Sequence, residues 1–189
     1  MIYTKEIYEG MIGECKGIAA VFIKDVAARR SMLDPVNDID DIDDWELAEE
    51  EIKELFEKFK TAMGLNCSLG FFRDNDVEHG KYGEDGDVVL LPLCIGCYKE
   101  TEIVEHMTHE LYHAFQYYAI CEPDDYPCFD AETINTWDYE FHNYESGAKD
   151  MKQYLGQEIE KTARKFGEML GKCCEKWEPC ADVEGTTAY

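Results

Sequence analysis

Apolar residues recur every three or four positions in several long stretches, which is the period of an amphipathic α-helix. In the first stretch, from residue 5 to about residue 30, the repeat consists of Ile7, Met11, Ile18, Phe22 and Val26. A second stripe runs from about Trp45 to Met63, and Gly64 after it is typical of a helix C-terminus. Three further helices are predicted, at about Glu100–Ile120, Trp137–Leu155 and Glu158–Trp177.

Short strand-like segments lie between the second and third predicted helices. The first, Cys67–Phe71, alternates in the way expected of a β-strand. Asp85 and Gly86 form a type I′ turn signal, which predicts a hairpin between Lys81–Glu84 and Val88–Leu91. Pro92 has no N–H group, so the second strand should end there or lie at a sheet edge. This order of elements predicts a single α+β domain over residues 1–189.

The composition narrows the class of protein and its partners. The 189 residues are 45% hydrophobic, as in a folded domain, and no apolar run approaches the roughly 18 residues that a membrane span requires. The net charge is −24, from 18 basic and 42 acidic residues, and so acidic a surface repels nucleic acid. The sequence lacks a recognisable signal peptide, so its nine cysteines favour reduced thiols in a cytoplasmic protein.

Cys94 and Cys97 have the spacing of a zinc-binding or redox pair. A structural zinc site of this kind needs a second pair, and none occurs at a suitable spacing. Free and mostly buried thiols are therefore the preferred interpretation. A second, cysteine-bound zinc is the alternative.

The third predicted helix contains a candidate metal site. His109 and His113 are four residues apart, which places both imidazoles on one helix face, one turn from each other. Two imidazoles so arranged can bind one Zn²⁺ ion. Glu110, beside the first histidine, can take a proton from the attacking water. The pattern HExxH is the zinc signature of metallopeptidases.

A catalytic zinc usually has three protein ligands, so a third residue is needed. The extended metzincin pattern would require Gly at position 116 and His at position 119. The chain has Gln116 and Ala119 instead, which excludes that class. The third ligand is therefore expected elsewhere, and the helix predicted at Trp137–Leu155 is the best place for it.

Glu145 is the preferred third ligand, because the small residues Gly147 and Ala148 would let its helix approach the metal helix closely. Glu140 is a rival, since it lies nearer the centre of the apolar face of that helix. His142 and Glu132 also stay open as ligands.

His109, Glu110 and His113, followed by Glu145 and Ala148 in the pattern ExxA, resemble the gluzincin branch of the zincin-like metallopeptidases, in particular the minigluzincins. The resemblance covers about residues 45–155 and leaves the terminal helices as additions. It implies a zincin-like fold, with an edge strand packed on the HExxH helix and a glutamate helix downstream. Asp150 departs from the thermolysin form of the second motif, ExxxD, because it follows Glu145 by five residues.

The expected function is therefore that of a zinc-dependent metallopeptidase acting on a peptide or protein substrate. His109, His113 and Glu145 would hold Zn²⁺, and Glu110 would act as general base. The substrate would pair with the edge strand at Val88–Leu91. Candidates for stabilising the oxyanion are Tyr139, His142 and Tyr144. The alternative is a catalytically silent binding or regulatory module with a zincin fold. The sequence does not indicate an oligomeric state.

Overall fold

The computed structural model describes residues 2–33, 46–72, 88–147 and 149–173. Its helices are α1 (Lys5–Leu33), α2 (Glu49–Ala62), α3 (Glu100–Cys121), α4 (Ala131–His142), α5 (Met151–Gly156) and α6 (Glu158–Gly171). Its strands are β1 (Ser68–Phe72) and β2 (Val88–Pro92), with short 3-10 helices at Leu93–Cys97 and Pro123–Asp125. A mainly helical chain with a small sheet agrees with the predicted α+β class. None of the described helices is long and apolar enough to cross a membrane.

Helix α3 is the central element of the fold. It contacts α1, α2, α4, α6 and β2, so its apolar residues are buried on several faces. Met107, Leu111 and Phe115 are fully buried in the core that these elements share. On the side of α1, the hydroxyl groups of Tyr8 and Tyr112 lie 3.0 Å apart. The helix that carries the HExxH pattern is thus held from several directions, which fixes the positions of its side chains.

The two described strands pair in parallel, with Ser68 opposite Val88 and Phe72 opposite Pro92. Val89 and Leu91 are buried, and β2 packs on α3. Strand β2 ends at Pro92, as predicted. The first strand and the turn of the predicted hairpin, Lys81–Gly86, lie outside the described residues.

The prediction of one long helix at Trp137–Leu155 is wrong, because the structure has two shorter helices there. Helix α4 ends at His142, and α5 begins only at Met151. The side chain of Asp150 accepts hydrogen bonds from the backbone N–H groups of Lys152 and Gln153, which starts a new helix there. The apolar stripe also does not continue into the core, since Met151 and Leu155 are exposed.

Helix α6 packs against α3 along its whole length, and small residues allow the close approach. A Cβ atom at Gly167 would lie 2.6 Å from the carbonyl oxygen of Glu105 on α3. At Gly171 it would overlap the Cγ atom of the same residue. Ala163, two turns before Gly171, is fully buried in this contact. The distance between the two helices is therefore set by small residues on α6.

Replacing Gly167 by alanine should force α6 away from α3, because the new methyl group meets backbone that cannot move alone. We expect a loss of about 1–3 kcal/mol in the free energy of unfolding, as is typical of overpacking. The matched control is Gly13→Ala in α1, where a Cβ atom meets nothing within 4 Å. That variant should be unchanged or more stable by about 0.5–1 kcal/mol. Urea unfolding measures both, and equal stability of the two variants would contradict the close contact.

Candidate metal centre

Three side chains from two helices converge on one point. The Nε2 atoms of His109 and His113 on α3 lie 3.1 Å apart. Glu160 on α6 places Oε2 3.5 Å from His109 Nε2 and Oε1 3.4 Å from His113 Nε2. The carboxylate is 1% exposed. Within the described residues, this is the one group of three or more possible ligands whose atoms all lie within 4.8 Å of one another.

These distances suit a zinc ion. Ligand atoms placed tetrahedrally at the usual Zn–N and Zn–O bond lengths are about 3.3 Å apart, close to the three observed separations. Glu160 Oε2 is buried and has no hydrogen-bond partner among the described residues, so a cation would satisfy it. Two imidazoles and one carboxylate are also a donor set of known catalytic zinc sites. The residues present therefore fit Zn²⁺.

Gln116 orients the second imidazole. Its side-chain NH₂ group donates to the carbonyl oxygen of Ile159 at 3.0 Å and to Thr162 Oγ1 at 2.7 Å. Its Oε1 atom therefore faces His113 Nδ1, at 2.9 Å, and can only accept. Nδ1 must then carry the proton, which leaves the Nε2 lone pair free to bind a metal. The residue that excluded the metzincin pattern in the sequence thus sets the tautomer of a candidate ligand.

Replacing Gln116 by methionine should weaken zinc binding by about 10–100-fold, the usual effect of removing a partner that orients a metal ligand. The reason is that His113 loses the acceptor that holds the Nδ1 proton. The control is Gln153→Met on α5, where the side chain is exposed. Competition with a chromophoric chelator measures both affinities. Equal zinc affinities in the two variants would show that Gln116 does not orient His113 for metal binding.

Electrostatic interactions favour the protonation states that a metal requires at His109 and Glu160, and oppose the required neutral state at His113. Burial, with a smaller contribution from the charge of His113, lowers the pKa of His109 to about 3. Burial alone would raise the pKa of Glu160, but His113, Tyr144 and His109 together lower it to about 2. His109 is therefore neutral and Glu160 ionised near neutral pH. The pKa of His113 would be lowered by burial, but contact with Glu160 raises it overall.

Glu110 lies beside the three candidate ligands and differs from them in its protonation. Burial raises the pKa of its carboxyl group to about 7; His113 opposes this shift and Glu160 adds to it. Its Oε1 atom is 3.9 Å from His109 Nε2. A carboxyl group with a pKa near neutral pH can both accept and return a proton, as a general base must.

An open cleft of about 530 Å³ gives access to the group. His109 and Glu110 on α3 line it. Strand β2 contributes Leu90, Leu91 and Pro92 to the lining. The later helices contribute Tyr154, Arg164, Gly167 and Glu168. The volume falls in the range of sites for small molecules and short peptide segments.

Glu145, the predicted third ligand, is not part of this group. It lies in the segment between α4 and α5, and its Oε2 atom is 2.8 Å from Lys149 Nζ. Its backbone N–H and C=O groups both bond to the side chain of Gln157. Ala148, the second residue of the predicted ExxA pattern, lies outside the described residues. Glu160 occupies the position that the sequence pattern assigned to Glu145.

The alternatives to Glu145 also lie elsewhere. Both carboxylate oxygens of Glu140 accept backbone N–H groups, from Glu158 at 3.0 Å and Ile159 at 2.8 Å. Glu140 thus caps α6 and helps to position the helix that carries Glu160. His142 is exposed, with Nδ1 2.8 Å from the carbonyl oxygen of Asp138. Glu132 is exposed in the first turn of α4.

A signal for Glu160 was present in the sequence. Glu160 and Ala163 also form an ExxA pattern, and Gly167 and Gly171 follow on the same helix face. A helix with so many small residues on one face can approach another helix closely. Small residues beside Glu145, namely Gly147 and Ala148, give the same kind of signal, and the prediction of the third ligand rested on those two alone.

Cys94 and Cys97 do not belong to a metal-binding group within the described residues. Neither residue forms a disulfide bond, and both lie in the short helix after β2, where Cys94 is half-buried with its Sγ atom 3.7 Å from the Tyr98 hydroxyl and Cys97 is exposed. Among the described cysteines only Cys15 and Cys67 are buried, so the prediction of mostly buried thiols is wrong for the described residues.

No protein-family model, curated protein or solved structure matches this chain.

Proposed function

We propose that this protein is a zinc-dependent metallopeptidase of the zincin type, with His109, His113 and Glu160 as zinc ligands. The observation that carries the proposal is that both Nε2 atoms, 3.1 Å apart, each lie within 3.5 Å of an oxygen of the Glu160 carboxylate, with the half-buried carboxyl group of Glu110 beside them in an open cleft. Glu110 supplies the general base of the reaction. The likeness to gluzincins rests on the HExxH pattern and on an ExxA pattern at Glu160 and Ala163.

A Zn²⁺ ion held by these residues would supply a Lewis acid that lowers the pKa of a water molecule and polarises the scissile carbonyl group. Glu110 accepts a proton from the attacking water, whose oxygen forms a bond to the carbonyl carbon. The C–N bond then breaks, and Glu110 returns the proton to the departing amine nitrogen. The products are a carboxylic acid and an amine, and Glu110 ends the cycle ionised.

Tyr144 and Tyr154 have different roles beside the candidate ligands. The Tyr144 hydroxyl donates a hydrogen bond to Glu160 Oε1 at 2.6 Å, which orients the carboxylate. Burial and the neighbouring Glu160 carboxylate raise the pKa of both tyrosines, so both hydroxyl groups stay protonated. Tyr154 lines the cleft and Tyr144 does not, so Tyr154 is the better placed donor for the developing oxyanion. Tyr154 was not among the candidates predicted from the sequence; of those that were, besides Tyr144, Tyr139 is 68% exposed on α4 and His142 is also exposed.

Strand β2 offers a place for the substrate backbone. Within the described residues, β2 pairs on one side only, with β1. Leu90, Leu91 and Pro92 line the cleft. An extended peptide that adds to this strand would run past His109 and Glu110, with its backbone held by strand hydrogen bonds.

The proposal is tested by incubating the zinc-loaded protein with a diverse peptide mixture and identifying cleaved bonds by mass spectrometry. Cleavage that a zinc chelator stops, and that added zinc restores, is the expected result. A protein that holds one zinc ion and cleaves no peptide would instead support the catalytically silent module. Cleavage that persists in the chelator would point to a contaminating enzyme and overturn the proposal.

A further inference from the structure

Arg164 forms no ion pair with any of the described residues, although the protein is very acidic. Its Nη2 atom is buried and makes no hydrogen bond within the described part of the chain. The other described arginines, Arg29 and Arg30, pair with Glu51 at 2.6 Å and with Glu100 at 3.1 Å. Acidic residues outnumber basic ones by 42 to 18, so an unpaired guanidinium is unexpected. A buried donor without a partner costs free energy, which a ligand can recover.

The position of Arg164 links it to the metal centre. It lies one turn after Glu160 on α6, on the same face of the helix, and lines the cleft together with His109 and Glu110. Of the acidic residues lining the same cleft, Glu168 is already paired, 3.1 Å from Lys172 Nζ.

The distance between Glu160 and Arg164 along α6 would let Arg164 reach a substrate carboxylate close to the scissile bond. Four residues of helix place the Cα atom of Arg164 about 6 Å further along α6 than that of Glu160. Consecutive residues of an extended peptide advance by at most about 3.6 Å each. A carboxylate one or two residues beyond the scissile bond would therefore come within reach of the guanidinium. Carboxylate is also the group that a guanidinium binds best, by two parallel hydrogen bonds.

We propose that Arg164 binds a carboxylate group of the substrate next to the scissile bond. The cleft would then select peptides that present either a free C-terminus or an acidic side chain at that place. This inference rests on the proposed peptidase function. It also runs against the net charge of the protein, which by itself would favour basic substrates.

The first test compares cleavage of matched peptide pairs. One pair has the same sequence with a free C-terminal carboxylate or a C-terminal amide. A second pair, amidated at the C-terminus, has Asp or Asn after the scissile bond. The wild-type enzyme should show kcat/KM about 10–100-fold higher for the carboxylate member of one pair, as expected for charged hydrogen bonds. The pair that shows the preference identifies the source of the carboxylate.

Arg164→Gln should abolish the preference, and Arg164→Lys should keep part of it, which covers the case in which the glutamine variant does not fold. The control is Lys165→Gln, which removes one positive charge from an exposed position on the same helix. It should leave the preference intact. A wild-type enzyme without preference, or a preference that survives in Arg164→Gln, would overturn the proposal. So would an equal loss of cleavage for all four peptides, which would indicate a structural part for Arg164.

A binding measurement separates this proposal from the peptidase function itself. The zinc-loaded Glu110→Gln protein is titrated calorimetrically with the same four peptides, with and without Arg164→Gln. Tighter binding of one carboxylate member, lost on replacing Arg164, supports the inference even if no peptide is cleaved. Equal binding of all four peptides would overturn it, whatever the outcome of the hydrolysis test.

Discussion

Replacing Glu160 by glutamine should remove most of the affinity of this protein for zinc. The amide keeps the size of the side chain and an oxygen that can accept from Tyr144, but it loses the negative charge that faces both imidazoles. The zinc affinity should fall by more than the roughly 10–100-fold that follows loss of a merely supporting residue. Competition with a chromophoric chelator measures the affinity.

The matched control is Glu145→Gln, which makes the same change at the position predicted from the sequence. Glu145 pairs with Lys149 at the surface, so its loss should leave zinc affinity unchanged. The effect of zinc on stability separates a ligand from a structural residue. Added zinc should raise the urea concentration at which the wild type unfolds, but should change that of Glu160→Gln only a little. If Glu145→Gln lost zinc and Glu160→Gln kept it, the assignment would have to return to Glu145.

Replacing Glu110 by glutamine should keep zinc and lose turnover. Glu110 does not belong to the group of three ligands, so the zinc content should stay at the wild-type value. The amide cannot accept a proton from water, which removes general base catalysis and should lower kcat by about 10²–10⁴-fold. The expected result is a zinc-loaded protein that binds peptides but cleaves them slowly.

The same two measurements on Glu145→Gln provide the control for Glu110→Gln. That variant should keep both the zinc and the wild-type kcat, because the Glu145 carboxylate pairs with Lys149 and is not among the residues that line the cleft. A Glu110→Gln enzyme that cleaves at the wild-type rate would contradict the assigned base. Loss of zinc along with turnover would mean that Glu110 acts as a ligand instead.

The helix that carries the two candidate histidine ligands was predictable from the sequence, because the placement of both histidines on one face depends on local spacing alone. His109 and His113 lie on one face of any α-helix that contains them, and α3 extends over nearly the range that its apolar pattern predicts. Helices α1 and α2 follow from the same periodicity. Local patterns of this kind do not depend on how the chain folds back on itself.

The third candidate ligand depends on how two distant helices meet, which a local pattern does not show. Glu145 and Glu160 are both followed by an alanine three residues later, so the motif alone does not separate them. The difference lies in the break after His142, which leaves Glu145 outside a helix, and in Gly167, which brings α6 against α3. Asp150, whose side chain starts α5, was the sequence feature that could have indicated this break.

The sheet also shows that local patterns predict elements but not how distant elements pair. Strand positions at Ser68–Phe72 and Val88–Pro92 were close to those predicted from alternation and from Pro92. Their parallel pairing was not, because turn chemistry at Asp85 and Gly86 predicts only a local hairpin. Pairing between strands separated along the chain depends on the core beneath them, here the surface of α3.

Zinc K-edge X-ray absorption on the protein purified without added metal shows which atoms hold the metal. We expect one zinc ion per chain, with nitrogen and oxygen ligands at about 2.0–2.2 Å and no sulfur. A shell dominated by sulfur at about 2.3 Å would place the metal on cysteines such as Cys94 and Cys97 and would contradict a site at His109, His113 and Glu160. So would a protein that holds no zinc even after incubation with the metal.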